Sequence, residues 1–184
     1  MKVAITGHTR GIGLALANKF QQLGYEVKGY SISQGCDVGN KEHRDRLIKD
    51  VHDVDLFVNN AFHPTGQAEL LKEFSEKYPT KRIINISSKG ALVNVSLVKN
   101  PQLQAYNKIK QHLNLIATQL MLDGVKILNV MPGVVDTDMG KMFPGPKLDP
   151  GYLADVIVDQ LSKDGMQQIV LDVPGANWNL YYQL

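Results

Sequence analysis

Short apolar runs alternate along the chain with longer stretches in which apolar residues return every three or four positions. The runs Val3-Ala4-Ile5, Leu56-Phe57-Val58, Ile83-Ile84-Asn85-Ile86 and Ile127-Leu128-Asn129-Val130 have the length and near-continuous apolarity of strands covered on both faces. Ile12, Leu16, Phe20 and Leu23, closed by Gly24, keep a helical spacing instead. Carried along the sequence, this reading places strands at 2–6, 25–31, 54–59, 82–87, 125–130 and 168–173, with a stub near 36–38. Helices fall at 11–23, 41–50, 67–78, 102–122 and 150–162. Asp149-Pro150 supplies a capping acid followed by proline at a first helical position, and Pro79-Thr80 stops the third helix. Strands alternating with amphipathic helices predict an α/β fold, a doubly wound parallel sheet flanked by helices, and residues 1–184 fit a single domain.

In such sheets ligands bind beyond the carboxyl ends of the strands, and those ends hold the chain's glycine-rich and polar segments. Thr6-Gly7-His8-Thr9-Arg10-Gly11-Ile12-Gly13 joins the first strand to the first helix, where backbone N–H groups and a helix N-terminus suit a pyrophosphate. Asn59-Asn60-Ala61 ends the strand before the third helix, Ser87-Ser88 ends the next, and Pro132-Gly133-Val134-Val135-Asp136-Thr137-Asp138-Met139 follows another. Tyr106-Asn107-Lys108-Ile109-Lys110 puts a tyrosine four residues before a lysine, on one face of a helix. An ammonium beside the phenol would lower its pKa, and such a tyrosine passes a proton to a developing alkoxide. Singly, each segment is also what an ordinary turn or a half-buried packing tyrosine looks like.

Taken in order, these motifs resemble those of the short-chain dehydrogenases/reductases, over Met1 to about Met139. The resemblance implies a Rossmann-like NAD(P)-binding domain. It assigns Tyr106 as acid or base, Lys110 as the cation beside it that also binds the nicotinamide ribose, and a serine as hydrogen-bond donor to the substrate carbonyl. Counting along the strand selects Ser88, and a register anchored on Gly90 would select Ser87. The implied cofactor contacts are Gly7, Thr9, Arg10, Gly11, Ile12 and Gly13 in the turn, Ser31 after the second strand, and Asp37 with Val38 near the adenine. Asn59 and Ala61 line the adenine ribose side, Asn59 also tying strands together, and Asn60 between them is a further cofactor contact. Pro132, Gly133, Val135 and Thr137 border the nicotinamide, which Tyr106 and Lys110 also approach.

The chain departs from the family pattern in several places. Tyr30 to Asp37 is too short for the family's second helix, and Asn60 to Ser88 is shortened, so no residue aligns with the family's relay asparagine. Leu92–Pro101 looks inserted, and the family's lid is reduced to Asp138–Asp149, predicting an open pocket. The second strand ends Gly29-Tyr30-Ser31-Ile32-Ser33 without the acid that would hold a ribose 2′-hydroxyl, while Arg10 suits a 2′-phosphate, so NADP(H) is favoured over NAD(H). The expected function is an NADP(H)-dependent oxidoreductase moving hydride between the nicotinamide and a carbonyl or secondary alcohol. The alternatives are an NADP(H)-binding sensor or regulator with little turnover, and an isomerase or dehydratase using its cofactor internally.

Composition trims the remaining classes. A hydrophobic content of 43% with 21% charged residues is that of an ordinary soluble protein, and a net charge of +2 with a pI near 8.5 gives no reason to expect nucleic acid. No apolar run reaches membrane-spanning length, Met1-Lys2 leads straight into a strand without a signal peptide, and a cytoplasmic setting is expected. Cys36 is the sole cysteine, which excludes an intrachain disulfide or a cysteine zinc cluster. His8, His43, His52, His63 and His112 lack ligand spacing, so no metal is expected, and only His63 is placed near the pocket. A small-molecule partner and a homodimer or monomer rather than a tetramer complete the expectation. Trp178, Tyr181 and Tyr182 read as edge packing or a subunit contact.

Overall fold

The structure is a computed structural model that describes residues 1–163 and 167–176, with the tail aromatics Trp178, Tyr181 and Tyr182 outside the described residues. The chain runs β1 (Lys2–Thr6), α1 (Gly11–Gln22), β2 (Glu26–Tyr30), α2 (Lys41–Asp50), β3 (Leu56–Asn59) and α3 (Gly66–Lys77). It continues through β4 (Arg82–Ile86), α4 (Pro101–Leu122), β5 (Ile127–Pro132), α5 (Pro150–Leu161) and β6 (Gln167–Leu171). The six strands are all parallel, in the order β2-β1-β3-β4-β5-β6. The direction of winding reverses between β1 and β3, so their carboxyl ends flank the crevice where open α/β sheets take ligands.

The four central strands β1, β3, β4 and β5 feed two cores because successive side chains point to opposite faces. Val3, Ile5, Leu56, Val58, Ile84, Ile86, Leu128 and Val130 meet Leu16 and Phe20 of α1 and Leu153 and Ile157 of α5. Ala4, Phe57, Ile83 and Ile127 face the other way, onto Leu47 of α2, Phe74 of α3 and Leu113 and Ala117 of α4. Helix starts follow their capping chemistry. The Asn40, Asn100 and Asp149 side chains accept backbone N–H groups of α2, α4 and α5, the last two helices with proline at the start.

The segment between β2 and α2 holds only a short 3₁₀ turn at Ile32–Gln34, as its length predicted. The stub expected at 36–38 is not a strand. Asp37 Oδ1 accepts the Gly39 N–H at 2.8 Å, the Asp37 N–H donates to His43 Nδ1 at 3.1 Å, and Val38 O accepts from Arg44, so local bonds take the groups a sheet ladder would need.

Arg44 fastens this loop. Its side chain is buried, donating to Glu73 through Nε at 2.9 Å, lying 2.6 Å from Glu69 Oε2 through Nη2, and donating through Nη1 to Val38 O at 3.0 Å and Gly39 O at 3.3 Å. Arg44→Ala strands two acids and two carbonyls at once. A fully buried pair broken this way costs about 3–5 kcal/mol, and because Glu69 is half exposed a loss of about 2–3 kcal/mol is expected, read as a lower urea midpoint.

Candidate active site

The glycine turn is held by the two strand ends beside it. Thr6 Oγ1 donates to Val58 O at 3.2 Å and accepts from Asn60 N at 2.9 Å and Ala61 N at 3.0 Å. Asn60 Nδ2 returns to Thr6 O at 2.9 Å and Gly7 O at 3.2 Å, so the Asn-Asn-Ala segment shapes the turn from behind. Gly7 has φ +69°, and a Cβ on Gly13 would lie 2.1 Å from Gly7 O, so neither position admits a side chain. The Cβ position of Gly11 is 3.2 Å from Thr137 Cγ2, which brings the segment after β5 against the turn. Arg10 at the N-cap makes no side-chain cap bond and the first turn of α1 has no acid, so its first backbone N–H groups are capped by neither.

Around this cradle the other expected cofactor residues divide. Thr9 and Arg10 are exposed, Gly11, Ile12, Asp37, Asn60, Ala61, Gly133 and Thr137 are half-buried, and Thr137 donates its N–H to Val135 O at 2.8 Å. Ser31 is buried with its hydroxyl bonded to Ser33 at 2.9 Å. Val38, Pro132 and Val135 are buried, the Val38 side chain lying in the core beneath α2 and α3. Asn59 is the most deeply placed of the set. The pleat turns it inward, it is fully buried, and its side chain bonds Asn85 and the Gln67 main-chain carbonyl, which is the strand-tying part of its expected role. Gly133 donates to Leu171 O at 2.7 Å and sits against Asp172, which ion-pairs with Lys89 at 2.6 Å.

Ser88, Tyr106 and Lys110 come together at the ends of β4 and α4. The Tyr106 ring is half-buried, tilted against Phe62 with centroids 5.3 Å apart and packed beside Val93, Val98, Leu103 and Phe143. The inserted segment therefore walls one side of Tyr106, with 3₁₀ turns at Lys89–Leu92 and Val95–Leu97. Burial pushes the Tyr106 phenol above its ordinary pKa, and its hydrogen bond with Ser88 acts in the opposite direction. Ser88 Oγ also accepts from Gly90 N at 3.1 Å. Ser87 is 3% exposed and its hydroxyl has no partner among the described residues, because the alternation of the strand turns it away from Tyr106.

Lys110 is 3% exposed, with Nζ donating to Gln67 Oε1 at 3.0 Å and Ile86 O at 3.2 Å. Its ammonium lies over the Phe62 ring at 5.3 Å and the Tyr106 ring at 5.8 Å. Burial lowers its pKa to about 7. The spacing argument expected this cation to depress the phenol; instead the ammonium is aimed at two oxygens and the phenol is raised on balance, because desolvation outweighs the Ser88 hydrogen bond. A lysine with a native pKa near 7 binds fewer protons than its unfolded counterpart between about pH 7 and 10, so its contribution to stability rises with pH there. Lys110→Met removes that dependence. Relative to wild type, the variant is expected to lose ground steadily in urea midpoint as pH goes from 7 to 10.

Several residues of the site escaped the sequence reading. Gln67 is 1% exposed at the start of α3, and Asn85, Asn129 and Asn114 join Asn59 in a buried amide row. The signal was present: an asparagine recurs at one register level in β3, β4 and β5. Of the histidines, His8 lies over Gly29, and His63 Nδ1 accepts the Thr65 and Gly66 N–H groups and caps α3. Among the described residues no cluster of three or more His, Cys, Asp or Glu could hold a metal, and no helix is long and apolar enough to cross a membrane.

No family model matches the sequence, and no curated protein matches it. Solved structures do match in fold. A short-chain dehydrogenase from Burkholderia cenocepacia J2315 in complex with NADP superposes with a TM-score of 0.75 at 20% identity, covering 94% of this chain and 88% of that one. The 3-alpha-hydroxysteroid dehydrogenase from Pseudomonas sp. B-0831 complexed with NADH gives 0.75 at 17% identity, covering 94% and 95%. The 3-ketoacyl-(acyl-carrier-protein) reductase from Brucella melitensis complexed with NADH gives 0.74 at 18%, covering 93% and 96%. The chain has the fold of these short-chain dehydrogenases and reductases, with the Rossmann-like parallel sheet expected from its sequence.

Proposed function

We propose that this chain, built on the short-chain dehydrogenase/reductase fold, is an NAD(P)-dependent oxidoreductase acting on a carbonyl or secondary alcohol, with NADP(H) the preferred cofactor. The observation that carries the reading is the meeting of Ser88, Tyr106 and buried Lys110 at the same carboxyl edge of the sheet as a glycine turn that excludes side chains. A buried lysine and a desolvated tyrosine are costly to fold and unneeded in a plain turn-and-helix scaffold, which favours chemistry over packing.

The donor set fits a dinucleotide. Gly7, Gly11 and Gly13 leave room for backbone to approach a pyrophosphate, the uncapped N–H groups of α1 favour its charge, and Thr137 stands beside the same turn. A bound nicotinamide supplies hydride exchange with the substrate carbon. The chain's own part is proton handling. Tyr106 gives or takes the proton at its phenol oxygen, Ser88 donates its hydroxyl to the substrate oxygen, and Lys110 provides positive charge next to the oxygen that develops negative charge. The packing of Phe62, Val93, Val98 and Phe143 covers one side of the Tyr106 ring.

The preference for NADP(H) rests on Arg10 and on the missing acid after β2. Arg10 is exposed and helps hold the Asp138 carboxyl below its usual range, secondary to Lys141. Arg10→Ala is expected to weaken NADPH about tenfold more than NADH, a difference of about 1.4 kcal/mol. Equal loss for both in fluorescence titrations would remove the 2′-phosphate role.

The reading as a whole is tested by titrating purified protein with NADPH and NADH, then following nicotinamide absorbance with aldehydes, ketones and diketones. Binding with turnover supports an oxidoreductase. Binding without turnover over the whole panel would favour a cofactor-sensing protein.

A further inference from the structure

We infer that Gln67, in the first turn of α3, is the positioning residue for Lys110; this rests on the oxidoreductase reading. Every polar atom of the Gln67 side chain is engaged. Oε1 accepts from Lys110 Nζ at 3.0 Å, and Nε2 donates to Asn59 O at 3.1 Å and Ile86 O at 3.0 Å. Ile86 O also accepts from Lys110 at 3.2 Å, so lysine and glutamine share one strand carbonyl as a common anchor.

The main chain of Gln67 is fixed from behind as well, through its own backbone carbonyl. Asn59 Nδ2 donates to the Gln67 carbonyl at 3.0 Å and to Asn85 Oδ1 at 2.9 Å, Asn85 Nδ2 donates to Asn129 Oδ1 at 2.9 Å, and Asn129 Nδ2 donates to Asn114 Oδ1 at 2.5 Å. The first three of these asparagines are direct register neighbours on β3, β4 and β5. Asn114 lies one turn beyond Lys110 on α4, so a row of amides starts beside Gln67, crosses the sheet and ends on the helix that carries Tyr106 and Lys110. Such a buried row admits one arrangement of the strands and α4, and therefore one position for the Gln67 oxygen.

The chemistry of an amide matters at this point. A neutral oxygen orients the ammonium without neutralising it, whereas a carboxylate there would hold the lysine permanently charged and pair with it. Of the three N–H groups of the ammonium, the described residues engage two, which leaves a donor for a ligand hydroxyl. The groups facing Lys110 are the Gln67 amide from α3, the Ile86 carbonyl from β4, the Phe62 ring and, on α4 itself, the titratable Tyr106.

The test uses Gln67→Met, which removes both ends of the amide at similar length, and Gln67→Glu, which keeps an acceptor toward Lys110 and adds a charge. The Lys110 amine is titrated in the full chain without cofactor, by NMR of ¹³C-labelled lysine assigned with Lys110→Met, after urea unfolding has shown which variants are cooperatively folded. Gln67→Met is expected to move the Lys110 midpoint down by about one pH unit and Gln67→Glu to move it up by at least as much, with the pH profile of kcat following in the same two directions. A residue that only supports packing would not give opposite shifts. Either folded variant titrating at the wild-type midpoint overturns the positioning role, even if turnover is intact. Opposite shifts in a protein that turns over no carbonyl substrate would uphold the geometry and sink the oxidoreductase reading instead.

Discussion

Tyr106→Phe is expected to lower kcat by about 100- to 10,000-fold while leaving NADPH affinity nearly unchanged, because the substitution removes one proton and one oxygen and keeps the ring. The ring is what packs: it meets Phe62, Val93, Val98, Leu103 and Phe143, and phenylalanine preserves those contacts. What disappears is the hydrogen bond with Ser88 and the proton that an alkoxide would take. Single-turnover absorbance with NADPH and an aldehyde separates the two effects, since binding and hydride transfer are then read in one trace. Wild-type turnover in the variant would remove Tyr106 from the chemistry. The raised phenol pKa adds a direction: the tyrosine stays protonated at neutral pH in the cofactor-free protein, as an acid in the reductive direction must.

The second large effect is expected at Gly13. Alanine there would place its Cβ 2.1 Å from Gly7 O and 2.6 Å from Asn60 Nδ2. The first is backbone, which no rotamer change moves away, and the second is an amide already bonded to Thr6 O and Gly7 O. The turn itself must shift. Overpacking of this kind costs about 1–3 kcal/mol, and since the cost falls on the geometry that receives the cofactor, NADPH affinity should drop about 10- to 100-fold with a lowered melting temperature. Gly24→Ala is the control, because its Cβ position meets nothing within 4 Å, although φ +77° makes it mildly strained. A Gly13→Ala protein that binds NADPH like wild type would show that the turn does not cradle the cofactor.

The elements were legible because periodicity and end chemistry agree. β1, α2, β4, α4 and α5 fall within a residue or two of their expected bounds, since short apolar runs leave no helical option and Asp149-Pro150 marks a helix start by its own hydrogen bonding. The stub at 36–38 was misread because an apolar Val38 beside Cys36 mimics a strand, while the bonds of Asp37 to Gly39 and His43 that make it a turn depend on groups further along the chain.

The site was legible as a set of residue types in order. Which serine faces the phenol followed only from the pleat of β4, which sends Ser87 inward and Ser88 to Tyr106. The lysine's partner had no local signal, because Gln67 is 43 positions from Lys110 and reaches it only when α3 packs beside α4.

Sequence by itself determined the parallel α/β framework and marked the glycine turn, the Tyr106 and Lys110 pair and the Ser87-Ser88 strand end as candidates, because propensity, capping and excluded side-chain volume act within a few residues. Tertiary structure decided the ionisation of that set and the aim of its lysine. Desolvation raises Tyr106 and lowers Lys110 only when α4, the inserted segment and the β4 carbonyls close around them, and the amide row holding Gln67 exists only when three distant strands lie in register.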